Sequence, residues 1–358
     1  MTMLQHDTAN ETPVEEERKT IKLLVWDLDN TLWQGTLLEG DGLRVREGVA
    51  ETLKALDARG ILHSVASKND HDLAMAKLKE AGLDEYFLYP QVNWNSKAAN
   101  IRSIVESINI GMDAVAFIDD EPFELEEVKH SLPDVLTIRA AELEGLADRP
   151  EFNPPFITDD SARRRFMYRA DIERNRAEGE FVGPSEEFLA TLDMEFTIAP
   201  AQQEDLKRAE ELTVRTHQLN TTGYTYSLAE LDALSRSPDH LLLVATLDDK
   251  FGTYGKIGLA LVEKGAEVWT IKLFLMSCRV MSRGVGSVFM NHILNLAREA
   301  GAQLHAEFLS NDRNRMMMIT YKLGGFKELK RDGKFILFKH DLERVPPHPD
   351  WLKLHLHV

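Results

Sequence analysis

Three apolar runs within the first 120 residues, each ending in polar side chains, constrain this chain more than any other feature. The first, Lys22-Leu-Leu-Val-Trp26, runs into Asp27-Leu-Asp29-Asn-Thr31. The second, Ile61-Leu-His-Ser-Val-Ala66, runs into Ser67-Lys68-Asn69. The third, Ala114-Val-Ala-Phe-Ile118, runs into Asp119-Asp120. Amphipathic stretches separate the runs. Such alternation over residues 20–140 predicts a parallel β-sheet flanked by helices, so the expected fold class is α/β. Strand ends in a sheet of this kind converge at its carboxyl edge, where open α/β folds place their sites.

The residues at those ends suit one chemistry. A carboxylate is a competent nucleophile toward phosphorus, so one aspartate of Asp27-x-Asp29-x-Thr31 can attack a phosphoryl group. The other can protonate the leaving oxygen and later activate water. Together they can hold a hard divalent cation such as Mg²⁺, which takes oxygen ligands and offsets phosphate charge. Ser67 can donate to a phosphate oxygen, and Lys97 in Trp94-Asn-Ser-Lys97 supplies a point cation. The alternative is a pair of solvated aspartates at a strand end. The order Asp-x-Asp-x-Thr, Ser, Lys, Asp-Asp resembles the haloacid-dehalogenase-like phosphatase superfamily over roughly residues 20–140. That resemblance implies Asp27 as nucleophile and Asp29 as acid/base. It implies Thr31, Ser67, Lys68, Asn69 and Lys97 as phosphate-binding residues. Asp27, Asp29, Asp119 and Asp120 then form a Mg²⁺ site. Between Asp29 and the second run there is room for a flap (Gln34 to Arg46) and one helix (Glu47 to Arg59), but for no cap domain. A capless site can accept a phosphate carried on something large.

At 358 residues the chain is long enough for two domains, each with its own core. The net charge of −17 argues against non-specific nucleic-acid binding, which rests on neutralising phosphates. No apolar stretch reaches the length of a membrane span and no signal peptide is expected, so a cytoplasmic location and no membrane partner are expected. The single cysteine, Cys278, excludes an internal disulfide. The expected organisation is a disordered acidic tail (1–18), a phosphatase-like domain (19–144), a helical connector (145–185), a second domain (186–340) and a C-terminal tail (341–358). Breakers at Arg149-Pro150, Asn153-Pro-Pro155 and Gly183-Pro184 frame the connector. Arginines cluster at 163–165, 169, 174 and 176, and again at 279, 283, 313 and 315. These clusters are either solvated helix faces or docking surfaces for an acidic partner or a phosphorylated substrate.

The second domain has a different rhythm. A strand (Glu195 to Ile198) leads to helices near Asp205–His217 and Ser227–Arg236, then to strands at Leu241–Leu247, Lys256–Val262 and Val268–Met276. A helix from Gly284, a strand (Leu304–Leu309), a helix (Arg313–Leu323) and two closing strands follow. This order resembles the acyl-CoA N-acetyltransferase fold, and Tyr321-Lys-Leu-Gly-Gly-Phe326 is similar to its late helix-to-strand turn. In that fold the turn after the fourth strand cradles a pantetheine pyrophosphate at a helix N-terminus. Arg279, Arg283, Gly284, Gly286 and Asn220 are thereby candidates for binding a pantetheine arm or its acyl group. Met281 stands where the fold's signature has Arg or Gln. Cys278, just before this turn, is either a small buried hydrophobe or a thiolate favoured by neighbouring arginines and a helix N-terminus. His217, in Arg215-Thr-His-Gln-Leu-Asn220, is either part of a capped helix end or a base for a thiol.

The combination is more specific than either half. Val65-Ala-Ser-Lys-Asn-Asp70, Phe117-Ile-Asp-Asp-Glu-Pro-Phe123, Thr216-His-Gln-Leu-Asn220 and Met276-Ser-Cys-Arg-Val280 together resemble the FkbH-like glyceryltransferase/phosphatase family. The resemblance implies that 1,3-bisphosphoglycerate is converted into a glyceryl thioester on a phosphopantetheinylated acyl carrier protein, for polyketide or tetronate assembly. A stand-alone Mg²⁺-dependent small-molecule phosphatase and a non-catalytic carrier-binding scaffold are the competing readings.

Overall fold

A computed structural model describes residues 20–39 and 42–357. The expected acidic tail, 1–18, lies outside the described residues. The chain forms two compact units that divide between Ile157 and Thr158.

The first unit contains strands β1 (Leu23–Trp26), β2 (Trp33–Gln34), β3 (Arg44–Val45), β4 (Leu62–Ser67), β5 (Gln91–Val92), β6 (Val115–Asp119) and β7 (Leu136–Arg139). Helices α1 (Val49–Ala58), α2 (His71–Glu80), α3 (Lys97–Ile108) and α4 (Pro122–Ser131) alternate with them. Five strands make a parallel sheet in the order β5-β4-β1-β6-β7. β1 is central, and all four of its residues are buried, which is why it reads as a continuous apolar run. Strand order reverses around β1, so the carboxyl end of β1 is the switch point where a crevice opens. Register makes this concrete: Trp26 pairs with Val65 on one side and Ile118 on the other. Asp27 and Asp119, each one residue past these pairs, and Ser67, two past Val65, therefore emerge at the same edge. Capping side chains start the helices at the same edge, with Asp70 accepting from Leu73 N and Ser96 from Ala99 N. The expected flap is the short hairpin β2–β3.

The second unit contains helices α5 (Asp159–Ala162), α6 (Arg164–Glu180), α7 (Ser185–Ala190), α8 (Gln203–Arg215), α9 (Leu228–Arg236), α10 (Val285–Glu299) and α11 (Arg315–Leu323). Its strands are β8 (Met194–Pro200), β9 (His240–Asp249), β10 (Gly252–Lys264), β11 (Val268–Met276), β12 (Gln303–Leu309), β13 (Lys327–Asp332), β14 (Phe335–His340) and β15 (Leu352–Leu356). They form one sheet in the order β13-β14-β12-β11-β10-β9-β8-β15. Pairing is antiparallel except at β11–β12 and β8–β15. Helices cover both faces. Leu206 and Leu212 of α8 pack with Leu259, Leu273 and Leu275 on one face, while Phe289 and Ile293 of α10 pack with Phe274 and Met276 on the other. Among the described residues no helix is long and apolar enough to cross a membrane.

Two expectations do not hold. The stretch expected as a connector, 145–185, is divided between the units. Leu146 and Phe152 are fully buried in the first core. Arg174 is fully buried in the second unit, where it forks onto Asp249 (2.6 and 2.9 Å), bonds Asp171 (2.6 Å) and stacks 3.7 Å from the Tyr254 ring centroid. The segment expected as a C-terminal tail, 341–358, instead supplies β15, and Leu342, Val345 and Trp351 pack against the core. Those apolar side chains are the physical reason: a solvated tail would leave them wet.

Candidate active site

At the carboxyl edge of the first sheet, Asp27, Lys97 and Asp119 form a buried ionic centre. Lys97, the first residue of α3, donates to Asp27, donates to the Ala66 carbonyl (3.0 Å) and lies 3.0 Å from Asp119 Oδ2. All three side chains are nearly inaccessible to water. Burial pushes the Asp27 carboxyl up to about 6; Lys97 opposes the rise and Asp119 adds to it. Burial also raises Asp119, with Lys97 again opposing. Burial alone would pull the Lys97 ammonium down, but Asp27 and Asp119 outweigh it and the net shift is upward. The lysine is therefore held as a cation against two carboxylates.

Asp120 is exposed, lies 3.4 Å from the Thr31 hydroxyl that donates to it, and is raised by burial of its carboxyl and by Asp27. Asp27, Asp119 and Asp120 each offer a carboxylate oxygen, and these oxygens lie within 4.8 Å of one another. Asp119 Oδ2 is buried without a geometrically acceptable hydrogen bond, despite its nearness to Lys97. Three carboxylates against one ammonium leave excess negative charge, and the donor set is all oxygen. This arrangement fits a hard divalent cation.

Asp29 departs from the expected set. Its carboxylate is absent from that trio because its oxygens are already engaged. Trp33 Nε1 (2.7 Å) and Leu37 N (3.1 Å) donate to Oδ1, and Asn69 Nδ2 (2.9 Å) donates to Oδ2. The group is thus oriented, not ligating, through its side chain. Asn69 is buried as an Asp29 partner, and Ser67 hydrogen-bonds Asp27. Lys68 does not join them. It turns to Glu124 at 2.7 Å, since successive side chains at a strand end point to opposite sides. Trp33 escaped the sequence reading. Its signal is the indole N–H, a donor that needs a partner once the ring is buried.

The raised Asp27 carboxyl has a testable consequence for stability. A folded-state value of about 6 lies above the ordinary 3.8, so the charged form costs folding free energy above about pH 6, and that cost fades as pH falls toward 4. In cation-free buffer, Asp27→Asn should raise the melting temperature at pH 7.5 by on the order of a few degrees. The gain should shrink at pH 5. Calorimetry at both pH values checks this, and an equal or negative effect at pH 7.5 would reject the buried-charge reading.

In the second unit, β11 and β12 pair only from Val268–Gln303 to Ile271–Ala306 and then part. The freed edge of β11 is taken by the chain's own segment 219–221. Thr221 N donates to the Phe274 carbonyl (3.1 Å), Phe274 N to Thr221 Oγ1 (3.0 Å) and Met276 N to the Leu219 carbonyl (3.0 Å). Asn220 lies inside this segment, fully buried, its Oδ1 accepting from Thr222 N and Gly223 N. It shapes a turn, and its Nδ2 is buried without a partner.

Cys278 is exposed, at the start of a 3₁₀ turn, Cys278–Arg283, so of its two readings the small buried hydrophobe does not hold. Its neighbours include Tyr168 on α6, whose phenol is raised chiefly by burial, with Arg279 opposing and Cys278 adding to the rise. Arg279 donates to the Tyr254 carbonyl (2.7 Å). Arg283 is not available at the turn, because it is buried and pairs with Glu178 at 2.9 Å. Gly284 has φ 71°, the left-handed cap that starts α10, and a Cβ there would meet Trp351 at 3.3 Å. Gly286 sits in the first turn of α10. His217 is exposed and lies beyond α8, which ends at Arg215, so it is not on the helix as expected.

Residues 35–129 match the family model of haloacid dehalogenase-like hydrolases. A solved structure of the N-terminal part of BF1531 from Bacteroides fragilis, containing a phosphatase domain complexed with Mg, is 33% identical over 34% of this chain, with TM-score 0.31. The match spans 36% of that solved chain. The ribosomal-protein-S18-alanine N-acetyltransferase from Escherichia coli is 16% identical over 43% of this chain and 97% of its own, with TM-score 0.33. Ard1 from Thermoplasma volcanium is 19% identical over 40% of this chain and 94% of its own, with TM-score 0.31. No curated protein matches. The chain is an enzyme, and residues 35–129 of it are similar to a hydrolase.

Proposed function

We propose that this enzyme transfers a (phospho)glyceryl group from 1,3-bisphosphoglycerate to the phosphopantetheine thiol of an acyl carrier protein and removes the 3-phosphate. The product is glyceryl-S-carrier, a unit for polyketide or tetronate assembly. The reading rests on the likeness to FkbH-like proteins. The observation that carries it is an exposed cysteine at the end of β11 in a chain that also holds a buried Asp27–Lys97–Asp119 centre. A second feature favours a phosphate presented by something large. Leu38, Leu73, Trp94 and Phe123 are exposed apolar side chains, in the flap and just beyond β4, β5 and β6.

In the hydrolase unit, Asp27 attacks the phosphorus of the 3-phosphate, forming an aspartyl phosphate as the P–O bond to the glyceryl oxygen breaks. Asp29 gives a proton to that oxygen, then takes one from the water that cleaves the aspartyl phosphate. Trp33, Leu37 N and Asn69 keep the Asp29 carboxylate in one orientation. Lys97 and Ser67 hold phosphoryl oxygens. A Mg²⁺ ion held by Asp27, Asp119 and Asp120 would offset phosphate charge. In the second unit, the Cys278 thiolate attacks the acyl carbon of the acyl phosphate. A C–S bond forms, the bond between the acyl carbon and the bridging oxygen breaks, and phosphate leaves with that oxygen. The carrier's thiolate then attacks the same carbon and releases the Cys278 thiolate. His217 is the candidate to take the carrier thiol's proton, and Arg279, Gly284, Gly286 and Asn220 to place the arm.

Mass spectrometry tests the acyl step. Without carrier, 1,3-bisphosphoglycerate should add one glyceryl or phosphoglyceryl mass to the protein, and hydroxylamine should remove it. Cys278→Ser nearly preserves volume, so it separates chemistry from packing. It should abolish both adduct and transfer. A serine protein that loads carrier at the wild-type rate would show that the acyl group passes directly to the pantetheine thiol.

A further inference from the structure

Helix α11 is apolar on two sides. Met317 and Tyr321 face the core, while Met316 (48% exposed), Ile319 (37%) and Leu323 (85%) form an outward stripe at spacings of three and four. Isolated exposed hydrophobes are ordinary, but a stripe along one helix marks a contact surface. The charge around it is the reverse of the molecule's. Residues 311–334 hold seven lysines and arginines against three acids, in a chain of net charge −17. Arg313, Arg315 and Lys322 are exposed and have no ion-pair partner among the described residues. An acidic chain that concentrates unpaired cations beside an apolar stripe is complementary to a partner with an acidic rim and an apolar ridge.

The base of α11 is also tied to the acyl-side segment. Asn314, its N-cap, donates through Nδ2 to the carbonyls of Asn220 (3.1 Å) and Leu309 (2.9 Å). Segment 219–221 then runs along β11 to Met276, two residues before Cys278. The base of α11 is thus linked through segment 219–221 to the end of β11, two residues before the thiol.

We propose that the outward face of α11, Met316, Ile319 and Leu323 with Arg313, Arg315 and Lys322, is the docking surface for an acidic, helix-bearing carrier protein. This rests on the function proposed above, and direct binding separates the two.

The probe is a discrete acidic acyl carrier protein in its phosphopantetheinylated and apo forms. The variants are the charge reversal Arg315→Glu/Lys322→Glu and the apolar change Met316→Ser/Leu323→Ser, none of which touches the acyl or phosphoryl machinery. By titration, the wild type should bind both forms with an affinity that falls as salt rises. Each double variant should weaken binding about tenfold or more. The Cys278 adduct formed without carrier should be unchanged, so KM for carrier rises while acylation persists. Binding that survives in both variants, or is absent in the wild type, overturns the docking assignment. An absent Cys278 adduct with intact, α11-dependent carrier binding overturns the acyl step and supports the docking surface. Self-association of the wild type that is lost in the variants, with carrier binding unaffected, would reassign the face to a second copy of this chain.

Discussion

Asp27→Asn should abolish phosphate release. The substitution keeps the shape of the side chain but removes the oxygen proposed as nucleophile, and loss of a covalent nucleophile costs on the order of 10⁴- to 10⁶-fold in turnover. The loss should not be a folding defect, because the neutral amide relieves a buried carboxylate crowded by Asp119 and retained by Lys97. Phosphate release from a glyceryl phosphate, followed with the melting temperature, distinguishes the cases. Asp29→Asn should lose less, about 10² to 10⁴-fold, since acid–base assistance is worth that much. If the acyl step is intact in Asp27→Asn, the carrier product should retain its phosphate and be about 80 Da heavier, the mass of that group. Unchanged phosphate release in Asp27→Asn would reject the nucleophile assignment.

The second large effect is on stability. Arg174→Met should destabilise the second unit by about 3–5 kcal/mol, the cost of removing one partner from a buried ion pair. The side chains of Arg174 and Asp249 are both fully inaccessible, and the guanidinium spans Asp249, Asp171 and the Gly252 carbonyl. Methionine keeps apolar bulk against Tyr254 but loses the guanidinium stacked on its ring and leaves the acids unneutralised. Asp249 keeps Phe251 N, Gly252 N and the Tyr254 hydroxyl as donors, which places the loss toward the lower end. Arg174→Lys should recover little, because an ammonium cannot reproduce the two-pronged contact. The exposed Arg176, paired with Glu180, is the control and should tolerate methionine without a measurable shift. Chemical denaturation monitored in the second unit decides the matter. A midpoint unchanged by Arg174→Met would show that the clasp contributes no net stability.

What the sequence made legible was whatever strand register enforces. Three apolar runs in a parallel sheet must deliver their next residues to one edge, so Asp27, Ser67 and Asp119 could be gathered without coordinates. Side-chain direction within that edge could not be read. Whether Lys68 points inward with Ser67 or outward to Glu124 depends on the local backbone, and Asp29's partners come from a hairpin and a helix cap. From β8 to β14 the second unit's helices and strands were likewise visible in their periodicity, within a few residues, but β15 was not. The division of 145–185 was not, because breakers such as Asn153-Pro-Pro155 mark turns whether or not a boundary lies there. Arg174 read as one of a cluster, either a solvated helix face or a docking surface, because its partner, Asp249, is remote in sequence.

β15 also shapes the order in which the second unit can form. It joins β8 in parallel, and the Lys353–Glu195 contact links positions 158 residues apart. Parallel partners need a crossover, so no hairpin can guide this pairing, and closing so long a loop is slow. During synthesis β8 emerges long before β15, so one edge of β8 has no strand neighbour in the interval. An unpaired edge in a growing chain invites pairing with another nascent copy. Yield of soluble protein should therefore depend on residues 341–358 more than their small share of the core suggests, and on translation or chaperone conditions that shorten the wait for them.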